Sequence, residues 1–588
     1  HVCLSNLGLG PHFLRIDTFR SRITRVPCYV RIYKLGGGDR LQKIGEIKDI
    51  ASIDAHLDYQ VIVIGAGVSG IYQIKRLADL GVRATVIDAN ADLGGTWYNN
   101  RYPGARFDSE SYTYSYSFSK EVLEEWHWTE MFSPQPETLH YLNFVTDKFA
   151  LRKYMQFGCR VESMVFDDAA CAWTIRLDDG RQLTTRFIVT GIGVLSTPTL
   201  PKFPGIDSFK GLSFHASDWP HDPLDLTGKR VAVIGTGATA IQLIPEVAKV
   251  AERLTVFQRR ANWAAPLNNG PISESQMTEI RNRYDEIFAT CARTPGGFEH
   301  EPDRRGFYEV SPEQRRELWD RLYDGSGFGI WLQNFMEIFV DEEANAEFSG
   351  YIAERIRQRV KDPVIAELLI PKDHGFGIQR VPMETGYFET YNRDNVELVD
   401  SAATPIARIT PTGLETSTGA YEFDIIVYAT GFDAFTGAFD QIDIQGARGA
   451  RLRDKWAEGP VTYLGAMVSG FPNFLMLVGP QTAASNFPRG AELSVDWVTP
   501  FLEYMWAKGY QRFDVDEAAE AEWFQHVKDM YQGVLLRKAR SWFTGYNSNV
   551  EGHEYGKMRY TVYNGGGPKY ARKLSEVATN DYTGVHFR

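Results

Sequence analysis

The sequence predicts an α/β protein with two Rossmann-like dinucleotide-binding domains and a helical insertion. Three observations carry that reading. A strand, a glycine-rich turn, a helix and a second strand follow one another from Tyr59 to Asp88. The same succession returns from Val231 to Arg260. Between about residue 270 and residue 370 the apolar residues fall at helical spacing instead.

Residues 1–58 carry no periodic motif and stand as an N-terminal extension. Val61-Ile62-Val63-Ile64 is an unbroken β-branched run, as a strand covered on both faces requires. It feeds Gly65-Ala66-Gly67-Val68-Ser69-Gly70, after which Ile71, Ile74, Leu77 and Ala78 share one helix face. The strand Ala84-Thr85-Val86-Ile87 then delivers Asp88. In the second unit Val231-Ala232-Val233-Ile234 leads into Gly235-Thr236-Gly237-Ala238-Thr239-Ala240, a helix, and Leu254-Thr255-Val256-Phe257. Gly65 and Gly235 are too far apart for one nucleotide-binding domain, so two are expected. Ser273 and Gln276 form a capping box ahead of Met277, Ile280, Tyr284, Ile287 and Phe288. Phe348, Ile352 and Ile356 make a second helical stripe, and strand character resumes at Glu397-Leu398-Val399 and over Phe423 to Ala429. The expected division is a first dinucleotide-binding domain in two parts, 59–195 and 426–588, a second in two parts, 196–265 and 376–425, and the insertion over 266–375.

Composition bounds the function classes. The 588 residues carry a net charge of -12, with 43% hydrophobic and 23% charged side chains, an ordinary globular balance. An acidic chain of this kind is not a dedicated nucleic-acid binder. No apolar run reaches the roughly 18 residues of a membrane-spanning helix. Five scattered cysteines without a C-x-x-C pair exclude a disulfide scaffold and a zinc-ribbon site, and no metal is expected. The chain opens on His1 without the arrangement of a signal peptide and has no N-x-S/T acceptor, so a reducing, cytoplasmic setting and a monomer are expected.

Each glycine turn is a phosphate cradle. Gly65, Gly67 and Gly70 allow a tight turn and close approach of a pyrophosphate to a helix N-terminus, and Gly235 and Gly237 do the same in the second copy. The strand ends separate the two ligands. Asp88 offers a carboxylate to ribose hydroxyls and would repel a 2′-phosphate. The corresponding end of the second unit is Gln258 followed by Arg259 and Arg260, and a guanidinium matches a phosphate in a bidentate way. FAD at the first turn and NADPH at the second is the economical assignment.

Further segments narrow the class. Phe209, Gly211, His215, Trp219, Pro220 and His221 fit F-x-G-x-x-x-H-x-x-x-W-P-[DH] at every fixed position. Gly94-Gly95-Thr96-Trp97, Tyr102-Pro103-Gly104 and Asp108 fit G-G-x-W-x(4)-[FY]-P-G-x(3)-D. Gln379-Arg380, with Gly386-Tyr387-Phe388 and Tyr391-Asn392-Arg393 beyond it, completes the set. From Tyr59 to its end the chain resembles the type I Baeyer–Villiger monooxygenases. The resemblance implies NADPH- and O2-dependent oxidation of a ketone to an ester or lactone through a flavin C4a-peroxide. It implies Arg380 as the catalytic guanidinium and Asp108 as the group that orients it. It also implies Thr96, Trp97 and Tyr114 beside the flavin, and Thr236, Thr239 and Gln242 on the NADP phosphates or ribose. Trp542, in Ser541-Trp542-Phe543-Thr544-Gly545, resembles the family tryptophan that closes over NADP. His215 and Trp219 are assigned to the linker and to domain movement rather than to acid–base chemistry.

One departure stands out. The family usually has lysine before the active-site arginine, where it helps hold the 2′-phosphate, and here the residue is Gln379. A narrower preference for NADPH is expected, with Arg259 and Arg260 compensating. The competing readings are a flavin-containing N- or S-monooxygenase and, from another class, a non-catalytic nucleotide-binding sensor. A flavin disulfide reductase is disfavoured because no close cysteine pair follows the first turn. The closing stretch from Ser541 to Val550, with Tyr563 to Pro568 and the long N-terminal segment, resembles the branch acting on bulky or polycyclic ketones.

Overall fold

The structure is a computed structural model that describes residues 26–32, 40–47 and 50–588. The remaining positions of the expected N-terminal extension lie outside the described residues. Within it, Val26–Ile32 and Arg40–Ile47 pair antiparallel as a hairpin.

Two sheets organise the rest. The first has eight strands, and Tyr59–Ile64 lies between Ala84–Ile87 and Gln182–Thr190, parallel to both. Phe474–Met476 returns from the end of the chain to pair with Gln182–Thr190, so the first domain is discontinuous. The second sheet is five-stranded and wholly parallel, in the order Val396–Asp400, Arg253–Gln258, Arg230–Ile234, Ile425–Tyr428 and Leu212–His215. Val61, Ile62, Val63, Val231, Ala232 and Val233 are all fully buried, which is why both strands read as continuous apolar runs.

Contacts cross two of the expected divisions. A division between 425 and 426 would cut the strand Ile425–Tyr428, whose backbone pairs with Arg230–Ile234 and so belongs to the second sheet. A division after 58 would detach Asp54, whose carboxylate meets Arg186 at 2.6 Å with side chains only 5% and 2% exposed. Arg186 lies in the strand Gln182–Thr190, so the stretch ahead of Tyr59 is fastened to the first domain.

The insertion consists of Glu274–Arg293, Pro312–Asp324, Glu342–Arg359 and Pro363–Leu369 with short turns between them. Its first helix starts where the sequence places it, with both halves of the Ser273–Gln276 capping box formed. Phe348, Ile352 and Ile356 are buried together with Val231, Ile241 and Leu254, so the insertion shares a core with the second sheet. Among the described residues, no helix is long and apolar enough to cross a membrane, and no His/Cys/Asp/Glu group could hold a metal.

Candidate active site

Both glycine turns have the shape a pyrophosphate needs. Gly65 has φ +104°, and a Cβ there would stand 2.5 Å from the carbonyl oxygen of Gly191. A Cβ at Gly70 would run into the carbonyl oxygen of Gly65, so only glycine lets this helix start against the strand. Gly67 caps the helix Val68–Asp79 without a side-chain hydrogen bond, which leaves the first-turn amides free for an anion. The second turn repeats this arrangement. Gly235 has φ +112°, and Gly237 caps Ala238–Val250 with open space where a Cβ would project. Asp88 stands beside the first turn, with Oδ2 accepting from the Ala66 amide at 2.6 Å and Oδ1 from the Asn90 amide at 2.8 Å. Burial pushes its carboxyl up, and the two amides oppose that shift.

The two domains meet at Asp108. Its loop crosses to the second domain at Gly104, where φ is +84° and a Cβ would stand 2.5 Å from the Gln242 carbonyl oxygen. Asp108 is 3% exposed. Its Oδ2 accepts from Arg380 Nη2 at 2.7 Å and from the Met383 amide at 3.3 Å. Its Oδ1 accepts from Gln242 Nε2 at 3.2 Å. Burial pushes this carboxyl up, and the Arg380 charge and these donors pull it back. Arg380 precedes the short strand Met383–Glu384, which pairs with Ala265–Pro266, and Glu384 is anchored by Arg359 at 2.6 Å. The guanidinium is therefore held at both ends, by Asp108 in front and by the strand behind. Its Nη1 is buried and has no hydrogen-bond partner, so one donor remains for a bound group.

The residues expected at the nucleotides make defined contacts within the protein. Gln242 is expected on NADP, yet its amide is spent on protein. Nε2 donates to the Arg106 carbonyl at 3.0 Å as well as to Asp108, and Oε1 accepts from the Tyr102 hydroxyl at 2.9 Å. The Thr236 hydroxyl donates to the Arg260 carbonyl at 2.8 Å and so shapes the arginine turn. Thr239 stays half-buried on the first turn of its helix, beside Tyr102. Arg260 pairs with Asp373 at 3.3 Å, whereas Arg259 is exposed and holds only the Ser548 hydroxyl at 2.7 Å. Trp97 and Tyr114 are buried against each other, with Nε1 donating to the tyrosine hydroxyl at 2.8 Å, and they brace the Gly94–Gly95 turn from behind. Thr96 is exposed at the start of Thr96–Asn99. Trp542 is half-buried and packs on Phe435 and Phe543.

The fingerprint segment forms part of the second sheet. Leu212–His215 is an edge strand, Gly211 passes under the Phe209 ring, and Trp219 meets Phe214 edge-on at 5.2 Å, ahead of Pro220. His215 is buried with Nδ1 against Ser217, and burial lowers its pKa, which suits a neutral packing residue. Met383 and Glu384 escape sequence reading. Their only signal is their position just beyond Arg380.

Two uncapped helix starts behind glycine turns, an acidic strand end at one and a basic strand end at the other, define a protein built to hold two dinucleotides, with a fixed guanidinium where its two domains meet. Residues 58–270 match the family described as flavin-binding monooxygenase-like. The chain is 45% identical over 89% of its length to 2-oxo-Δ3-4,5,5-trimethylcyclopentenylacetyl-CoA monooxygenase of Pseudomonas putida, covering 97% of that protein. It is similar to the crystal structure of OTEMO in complex with FAD and NADP, with TM-score 0.87, 43% identity, and coverage of 90% of this chain and 100% of that one. It is also similar to oxidised steroid monooxygenase bound to NADP, with TM-score 0.85, 41% identity, and coverage of 90% and 99%. The chain belongs to the flavin-binding monooxygenase-like family and, within it, to the FAD- and NADPH-dependent Baeyer–Villiger monooxygenases.

Proposed function

We propose that this enzyme inserts one oxygen atom of O2 beside the carbonyl carbon of a bulky cyclic ketone. NADPH supplies two electrons, the second oxygen atom leaves as water, and the product is a lactone or ester. The observation that carries the reading is Arg380, held by Asp108 where the two nucleotide cradles meet, with Nη1 uncommitted. FAD held at the first glycine turn would pass the NADPH electrons to O2 and so activate it. Arg380 stays protonated throughout, so it can stabilise negative charge on oxygen without giving up a proton. Asp108 fixes the guanidinium and balances its charge. Gln242, on the second domain's helix, ties Asp108 to that domain and so steadies the carboxylate that holds Arg380. Thr236, through Arg260, and Arg259 serve the nucleotide end.

The names of the relatives support a bulky cyclic ketone, since one acts on a trimethylcyclopentenyl ring and another is a steroid monooxygenase. The reading extends to a monomer in a reducing compartment, in keeping with the free thiols of Cys159, Cys171 and Cys291. Cyclohexanone, a macrocyclic ketone, a steroid ketone and a thioether, assayed side by side for NADPH use and product, test the assignment. Faster turnover of a bulky ketone to its lactone is expected. Rejection of both bulky ketones would overturn the substrate class. Oxidation of the thioether alone would overturn the ketone chemistry.

A further inference from the structure

The 2′-phosphate end of the nucleotide site poses a charge problem. Arg260 is already paired with Asp373, and the position before Arg380 holds Gln379, whose Nε2 has no hydrogen-bond partner, in place of a cation. Arg259 is left as the only guanidinium of its turn that no carboxylate neutralises among the described residues, and it holds just the Ser548 hydroxyl. A single arginine is a thin basis for discriminating a phosphate dianion.

The C-terminal segment supplies what is missing. From Arg540 to Tyr555 it folds over the arginine turn and touches it repeatedly. Ser548 accepts from Arg259, and the Arg260 guanidinium lies over the Tyr546 ring at 5.4 Å. Tyr546 meets Tyr555 edge-on at 6.4 Å, and Arg540 lies over the Tyr555 ring at 4.7 Å. Tyr555 is 54% exposed and its hydroxyl donates to the Lys538 carbonyl, so the ladder of two rings and two guanidiniums stands at the surface beside the turn. Arg540 is itself exposed and makes no ion pair among the described residues. Burial is the main influence that disfavours the protonated form of Arg259, and the Arg260 and Arg540 charges add to it. Arg540 and Arg260 stand at the two ends of one ring ladder with Arg259 beside it, and Asp373 is the one carboxylate paired with the three, a balance that suits an anion.

We infer that Arg540 is a third guanidinium of the 2′-phosphate site, a specificity residue carried by the C-terminal segment two positions ahead of Trp542. The inference rests on the reading of NADPH as the hydride donor. It implies that the phosphate distinguishing NADPH from NADH also fastens this segment, because Arg540 and Ser548 can close on it only when the segment lies over the turn.

The test is calorimetric titration of the FAD-loaded enzyme with 2′,5′-ADP and with 5′-AMP. Arg540→Gln should weaken 2′,5′-ADP by about tenfold, the loss of one charge-assisted hydrogen bond, and leave 5′-AMP unchanged. Arg540→Lys should keep most of the affinity, and Gln379→Lys in the Arg540→Gln background should restore it. Affinity of Arg540→Gln within twofold of wild type, while Arg259→Gln loses 2′,5′-ADP, would overturn the role of Arg540 and leave the NADPH reading standing. A wild-type enzyme that binds the two nucleotides equally would overturn that reading itself.

Discussion

Replacing Asp108 by asparagine keeps the side-chain volume and removes the charge that organises the centre. The carboxylate accepts from Arg380 at 2.7 Å, Gln242 at 3.2 Å and the Met383 amide at 3.3 Å. An asparagine turns one acceptor into a donor, which must then face one of these donors. Losing one charge-assisted bond is worth about 1.5–3 kcal/mol, or roughly 10- to 150-fold in kcat/KM at about 1.4 kcal/mol per tenfold. Stability should fall by less than the about 3–5 kcal/mol expected when a fully buried pair loses one partner, because the Arg380 side chain is 32% exposed and burial already disfavours the Asp108 charge. The assay is NADPH oxidation measured together with the lactone formed, with flavin content and Tm as controls. The expected result is a split, with activity down by one to two orders of magnitude while flavin content holds and the enzyme stays folded at the assay temperature. An Asp108→Asn enzyme within twofold of wild type and fully coupled would refute the role given to the pair.

Three further outcomes follow from the same geometry. Gln242→Leu should lower kcat/KM by about fivefold, roughly 1 kcal/mol for one neutral hydrogen bond, while 2′,5′-ADP affinity stays unchanged. Weakened nucleotide binding with unaltered turnover would place Gln242 on the nucleotide instead. Asp433 is held up at about 6 by burial, with Asp440 adding to the shift, and its facing partner His553 is pushed down to about 4 by burial. The folded state thus binds the Asp433 proton more tightly than the unfolded chain, so its contribution to stability is lost as pH rises from about 4 to 6. Asp433→Asn should then gain stability relative to wild type at pH 8 over pH 4.5, by at most about 3 kcal/mol. A Tm difference that does not change with pH would count against this. Asp54→Ala strands the buried Arg186 and should cost about 3–5 kcal/mol in urea unfolding, as should deletion of residues 1–58. Unchanged midpoints would show that the stretch before Tyr59 is dispensable.

The two sheets and their glycine turns were legible because each depends on a local pattern. A buried parallel strand needs an unbroken apolar run, and Gly65 and Gly70 occupy positions where a Cβ meets backbone. The Ser273 capping box was legible for the same reason, being complete within four residues. Side-chain commitments across domains were not. Gln242 sits where a nucleotide ligand is expected, and only the approach of the Tyr102–Asp108 loop spends its amide elsewhere. Arg259 and Arg260 are equivalent in sequence, and it is Asp373, from beyond the insertion helices, that separates a paired guanidinium from a free one. The strand Ile425–Tyr428 was recognised as a strand, yet its sheet is decided by pairing with a strand nearly two hundred residues earlier.

The central claim is that Arg380, set by Asp108, serves insertion of oxygen beside a ketone carbonyl. Its most direct measurement is turnover of a bulky cyclic ketone under 18O2, with mass spectrometry of the product and a count of NADPH consumed. The account predicts one labelled atom in the lactone ring oxygen per NADPH, and near-complete loss of that product in Arg380→Ala with flavin still bound. Hydrogen peroxide as the only oxygen product of the wild-type enzyme, or undiminished labelled lactone from Arg380→Ala, would contradict it.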